Sequence, residues 1–185
     1  MFFRSKRVKI LDIFCGCGGG SLGFAFAVRD TGLECDIVGI DIDRDACLTF
    51  QKNRVGQAIM ADARFPPIRM HRGLFDVIIG CPPCQGFTRM RGKPNPDDPR
   101  NRLVSTFLEW IKVIRPRYVM FENVPWIHGS NYHQCLEKGL KACGYKYDSK
   151  ILDAAQFGVP QRRKRFVLVA SRGWKPKLPE TTHAS

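Results

Sequence analysis

Residues 76 to 92 read DVIIGCPPCQGFTRMRG and set Cys84 behind an apolar run and two prolines, ahead of a basic, glycine-punctuated stretch. Three chemistries suit a cysteine in that setting: metal ligation, a redox pair with Cys81, or nucleophilic attack on carbon. The C-x-x-C spacing of Cys81 and Cys84 would suit zinc, but no second C-x-x-C completes four ligands, and no metal site is expected. A redox pair is disfavoured because Cys81 ends an apolar strand, where burial is expected. The prolines stiffen the turn and present Cys84 and Gln85 beyond the strand. Attack on carbon requires the thiolate, which neighbouring arginines favour, and QRRKR at 161–165 is the natural source of that charge. Two side chains after a later strand, Glu122 and Asn123, offer a carboxyl and an amide to the same chemistry.

A second constellation surrounds glycines 16, 18, 19 and 20. Glycines let the backbone turn tightly and let a ligand approach the amides that open a helix, whose positive end favours a carboxylate or phosphate. The dinucleotide fingerprint G-x-G-x-x-G is not met, because Ser21 stands where its third glycine belongs. Asp41, about 20 residues beyond the glycines, is placed to accept from ribose hydroxyls, and Asp62 to accept from an adenine amino group. A ligand with adenine, ribose and a carboxylate fits as well as NAD does, and S-adenosylmethionine is such a ligand. Helix capping or turn chemistry is the alternative role for either aspartate.

These residues must be held by regular elements. VKILDIF reads as a strand and SLGFAFAVRD as a helix that Ser21 could cap. CDIVGIDID is a second strand, and RDACLTFQKN a second helix capped by Asp43, with Ala46, Cys47 and Phe50 facing inward. QAIMADA and FDVIIGC are two further strands, the latter apolar enough for a sheet covered on both faces. Leu103, Phe107 and Ile111 recur at four-residue spacing in an amphipathic helix. RYVMFENV is a fifth strand, NYHQCLEKGLKACG a helix closed by Gly144, and YKYDSKILDA and RFVLVAS the last two strands. Strands alternating with helices predict an α/β, doubly wound, mostly parallel sheet with an antiparallel C-terminal strand. Its ligand crevice lies at the strands' carboxyl ends. Every candidate residue falls just after a strand, and adjacent fourth and fifth strands would bring Cys84 and Glu122 into one site.

The chain of 185 residues carries 30 Lys and Arg against 17 Asp and Glu, a formal charge of +13. The cations are spread along the chain, which points to a polyanionic partner, with a solvated basic surface as the alternative. No segment approaches the ~20 apolar residues that span a bilayer, and the N-terminus lacks a secretory pattern. A soluble cytoplasmic or nucleoid-associated protein, nuclear if eukaryotic, is therefore expected. Its cysteines should stay reduced, with Cys35, Cys47, Cys135 and Cys143 as small buried hydrophobes.

The stretches DIFCGCGGGSLGF, GIDID, ADA, GCPPCQGFT, FENV and QRRKRF occur in that order and resemble the successive motifs of the cytosine-C5 DNA methyltransferases, from about Val8 to Phe166. The resemblance implies S-adenosylmethionine as cofactor, contacted by Phe14, Gly16, Gly18, Asp41, Asp62 and Pro83, with Ile42 as an apolar neighbour of adenine. It implies that Cys84 adds to cytosine C6 and that Glu122 holds the N3 and amino edge and supplies a proton to N3. Arg165 binds O2, Arg163 supports the thiolate or a nearby phosphate, and Gln161 fixes its loop, with Gln85 and Asn123 on the substrate side. Gly86 to Arg102 would form a loop closing over a cytosine swung out of duplex DNA. Amino-group methylation fits less well, because such enzymes place an aromatic ring after a Pro-Pro pair.

Complete members continue into a target-recognition region and two further motifs. Residues 1–171 are therefore expected to form the catalytic domain and 172–185 a tail leading toward that missing region. A second polypeptide carrying the remainder is the leading expectation, ahead of a truncated fragment. A tRNA-directed enzyme, with which Thr88 is compatible, and a non-catalytic nucleic-acid-binding module are the alternatives.

Overall fold

The computed structural model describes residues 7–83 and 102–183. Cys84, Gln85 and most of the expected closing loop lie outside the described residues. The fold is α/β, with a mostly parallel sheet and antiparallel strands toward the C-terminus, the class expected. The chain forms two compact units, residues 1–81 with 110–117, and 82–109 with 118–185.

In the first unit, β1 (Val8–Ile13), β2 (Cys35–Asp41), β3 (Gln57–Met60) and β4 (Val77–Gly80) run parallel in the order β3-β2-β1-β4. Ile10, Leu11, Ile13, Ile78 and Ile79 are wholly buried. That burial is why the central strands read as continuous apolar runs instead of alternating ones. The register pairs Ile13 with Ile40 and Asp41 with Met60, so Phe14 and Asp62 follow strand ends on the edge where Asp41 closes β2. Helix α2 (Arg44–Lys52) starts as expected, with Asp43 accepting from the Asp45 and Ala46 amides at 2.8 and 2.9 Å. Its Cys47 and Phe50 are buried.

Helix α1 (Gly19–Asp30) starts differently from the expectation. Its cap position is Gly18, at φ 91°, with no side-chain cap. Ser21 instead lies fully buried and donates to Asp12 Oδ2 at 2.6 Å. A serine one turn into the helix cannot reach the first free amides, whereas a buried carboxylate beneath it needs a donor.

The second unit holds the first turns of α3 (Leu103–Ile114), then β5 (Tyr118–Asn123), α4 (Asn131–Ala142), β6 (Lys146–Asp153) and β7 (Lys164–Ser171). Strand β7 is antiparallel to both β5 and β6, placing Glu122 opposite Val167 and Asp153 opposite Lys164. Phe121 packs between Phe107 and Phe166, with ring centroids 5.6 and 6.3 Å away. Ser130 caps α4 by accepting from the His133 amide, and Gly144 follows the helix at φ 78°, as expected for its closing glycine. Residues 172–183 lie along this unit: the Leu178 amide donates to Asp148 at 2.9 Å, and the Thr182 and His183 amides donate to the Gln156 carbonyl.

Three cysteine expectations are corrected. Cys135 is exposed, because it stands on the outer side of α4 while Leu136 and Leu140 face inward, and Cys35 is only half-buried beside the exposed Arg7–Asp36 pair. Cys81, expected to be buried, is likewise only half-buried. Cys47 and Cys143 are buried as expected.

Candidate active site

The first unit carries the glycine turn. Phe14 follows β1 in the left-handed region at φ 65°, a conformation that costs a non-glycine residue energy and tends to cluster at functional turns. The Phe14 and Cys15 amides both donate to the Ile40 carbonyl, at 2.8 and 3.1 Å, which locks the turn against β2. Gly16 and Gly18 also have positive φ. A Cβ on Gly18 would meet Phe50 at 2.7 Å, whereas one on Gly16 or Gly19 would meet nothing within 4 Å. Gly18 is thus needed by the fold, and Gly16 and Gly19 leave open space for a ligand to approach the backbone.

Asp41 ties this turn to the end of β2. Its Oδ2 accepts from the Gly16 amide at 2.8 Å and its Oδ1 from the Asp43 amide at 3.0 Å. Each oxygen keeps lone-pair capacity, enough for a pair of vicinal ribose hydroxyls. Ile42, next in sequence, is 71% exposed and offers an apolar face. These donors, acceptors and open surfaces fit an adenosyl group.

Asp62 also follows its strand as expected, but its carboxylate is engaged. Arg64 donates to it from Nε (3.1 Å to Oδ1, 3.0 Å to Oδ2), from Nη2 (2.6 Å to Oδ2) and from its backbone amide (2.9 Å to Oδ1). These bonds hold the Asp62 carboxyl below its ordinary range.

Asp12 is a residue the sequence reading missed. Only 2% exposed at the end of β1, it receives Ser21 on Oδ2, while Oδ1 has no partner among the described residues. Burial pushes its carboxyl up to about 7, Ser21 pulls it down, and the Asp41 charge adds to the rise. The available signal was its place, since Asp12 precedes the glycine turn as Asp41 ends β2.

The second unit holds the other expected group. Arg165 Nε meets Glu122 Oε1 at 2.8 Å across β7 and β5, both side chains about one quarter exposed. Strand alternation explains the meeting. Phe166 and Phe121 face the core, so Arg165 and Glu122 turn together to the other face. Asn123, expected on the substrate side, points inward. It is 2% exposed, donates Nδ2 to the Pro82 carbonyl at 3.1 Å, and accepts the Val124 amide on Oδ1 at 2.9 Å. The structure therefore commits its amide to the Pro82 carbonyl, with Pro82 buried and Pro83 half-buried. Gln161 and Arg163 are exposed, with the Arg163 amide donating to Asp153 at 2.9 Å and the Gln161 amide to the Val159 carbonyl at 2.7 Å.

Comparison with known proteins defines the class. The family model for the C-5 cytosine-specific DNA methylases matches residues 8–184, and the chain belongs to that S-adenosylmethionine-dependent family. It is 34% identical to the Type II methyltransferase M.XorII of Xanthomonas oryzae, over 93% of this chain and 43% of that protein. It is 33% identical to a Type II methyltransferase of Haemophilus parahaemolyticus, over 98% of this chain and 52% of the relative. M.AquIA of Picosynechococcus is shorter: the match at 31% identity covers 95% of this chain and 77% of that protein. The chain thus spans about half the length of the first two relatives. Among solved structures, a putative DNA modification methyltransferase from an Escherichia coli prophage matches with a TM-score of 0.70 at 26% identity, over 89% of this chain and 46% of that one. The Schizosaccharomyces pombe Dnmt2 methyltransferase shares the fold at a TM-score of 0.72 and 24% identity, over 94% of this chain and 52% of that one. None of the described helices is long and apolar enough to cross a membrane.

Proposed function

We propose that this chain is the catalytic part of an enzyme that methylates C5 of cytosine in duplex DNA. In this reading the Cys84 thiolate adds to C6 of a flipped base, and Glu122 donates a proton toward N3 as charge builds in the ring. Arg165 holds O2. When bound, S-adenosylmethionine supplies an electrophilic methyl group to the activated C5. Loss of the C5 proton then expels the thiolate and restores the ring.

The observation that carries the reading is the Glu122–Arg165 pair. A carboxyl and a guanidinium 2.8 Å apart on one sheet face form a ready-made edge for the N3 and O2 side of a pyrimidine. The Asn123 bond to the Pro82 carbonyl supports it by tethering Pro82, two residues before Cys84 in sequence, to the strand that carries Glu122. The adenosyl-fitting residues around Asp41 support S-adenosylmethionine at the carboxyl end of β1 to β3. We further propose that a second polypeptide supplies target recognition, and that the enzyme acts on DNA in the cytoplasm or nucleoid, or in the nucleus of a eukaryote.

The test is transfer of labelled methyl groups to cytosine-containing duplex DNA by the chain with its co-purified partner, for wild type and Glu122→Gln. Incorporation that falls at least about 100-fold in the variant supports the reading. Incorporation into tRNA alone, or equal rates for both proteins, would sink it.

A further inference from the structure

We propose that Arg64 competes with adenine for Asp62, so that in the free chain the guanidinium partly latches the adenine side of the cofactor site. The inference rests on the reading of Asp62 as the adenine-amino acceptor.

The argument is a count of lone pairs. A carboxylate offers about four acceptor sites. Asp62 Oδ1 already takes the Arg64 amide at 2.9 Å and Nε at 3.1 Å, and Oδ2 takes Nε at 3.0 Å and Nη2 at 2.6 Å. These are three hydrogens, because the single Nε hydrogen is shared between both oxygens, and they leave an incoming amino group at most one acceptor site while the fork stays in place. The backbone bond is fixed by the turn, but the side-chain bonds are not. The Arg64 side chain is 61% exposed, against 23% for Asp62, so the guanidinium can exchange its bonds for water at low cost. Its Cζ already lies 5.8 Å from the centroid of Phe65, a ring 73% exposed, and a guanidinium withdrawn from Asp62 can keep that contact.

A latch of this kind weakens binding by the fraction of time it is closed. For an exposed ion pair that amounts to about two- to fivefold. The experiment is calorimetric titration of S-adenosylmethionine, and separately S-adenosylhomocysteine, into the full chain with its co-purified partner. Wild type, Arg64→Ala, Arg64→Lys and Asp62→Ala are compared. The expected results are about two- to fivefold tighter binding for Arg64→Ala, a smaller gain for Arg64→Lys, and weaker binding for Asp62→Ala. Wild-type affinity should also rise toward that of Arg64→Ala in about 0.5 M salt, where exposed charge pairs are screened. If Asp62→Ala weakens binding while Arg64→Ala is unchanged or weaker, the latch is wrong and the Asp62 reading stands. If Asp62→Ala has no effect, or none of the four proteins binds either ligand, the adenine reading fails and the latch with it.

Discussion

Replacing Asn123 with alanine should disturb both stability and turnover, for a reason the geometry makes quantitative. The side chain satisfies two backbone groups, the Pro82 carbonyl at 3.1 Å and the Val124 amide at 2.9 Å, in a position 2% exposed. Removing it takes away both bonds, at about 1–3 kcal/mol for the buried Pro82 carbonyl and about 1 kcal/mol for the half-buried Val124 amide. A loss of about 2–4 kcal/mol follows, a large share of the ~5–15 kcal/mol that holds a domain folded. For a chain of this size the expected fall in Tm is about 4–16 °C. Asn123→Asp sharpens the test. It keeps the shape and the acceptor for Val124, but sets a carboxylate against the Pro82 carbonyl. The new acid should then have a raised pKa in the folded state, so that variant gains stability as pH falls through that value, when the protonated oxygen can donate to Pro82. The assays are thermal and urea unfolding across pH, with kcat and KM measured in parallel. Loosening Pro82, two residues before Cys84 in sequence, should lower kcat more than it raises KM. An Asn123→Ala protein within about 0.5 kcal/mol of wild type, with unchanged kcat, would refute the reasoning.

Three further outcomes follow from named contacts. Gly18→Ala should cost about 2–4 kcal/mol in urea unfolding, because the new Cβ meets Phe50 at 2.7 Å in a backbone of φ +91°. Asp12→Asn should gain stability relative to wild type as pH rises from about 4 to about 7. A carboxyl whose folded-state value is raised to about 7 binds protons more tightly folded than unfolded, so wild type loses stability across that window, by at most about 4 kcal/mol. Matched pH titrations of urea unfolding check it, and parallel curves for the two proteins would contradict it. Binding of a short DNA duplex, followed by fluorescence anisotropy, should weaken steeply with salt, as the +13 charge requires if its cations meet phosphates.

Much of the fold was legible because its signals are local. Unbroken apolar runs such as VIIG announced central strands, Asp43 announced the start of α2, and Gly144 the end of α4. Asp62 lies beyond its strand, as the rule for parallel-sheet sites predicts, whereas Asp41 is the last residue of β2 and Glu122 lies within β5, one residue before its end. What was missed depends on contacts between elements or on side-chain direction. Ser21 looked like a cap because nothing local reveals that it must satisfy a buried Asp12. Asn123 looked like a substrate contact because only the tertiary arrangement shows its amide committed to Pro82. The Cys135 pattern read as apolar, yet the helix turns that residue outward.

The most direct measurement of the central claim is the mass of the chain, assembled with its partner, after reaction with S-adenosylmethionine and a 5-fluorocytosine duplex. Fluorine at C5 prevents the final loss of a proton, so the covalent species accumulates. The account predicts an adduct that peptide mapping places on Cys84 and that Cys84→Ala abolishes together with methyl transfer. Methyl transfer that persists in Cys84→Ala, or an adduct on another residue, would contradict it.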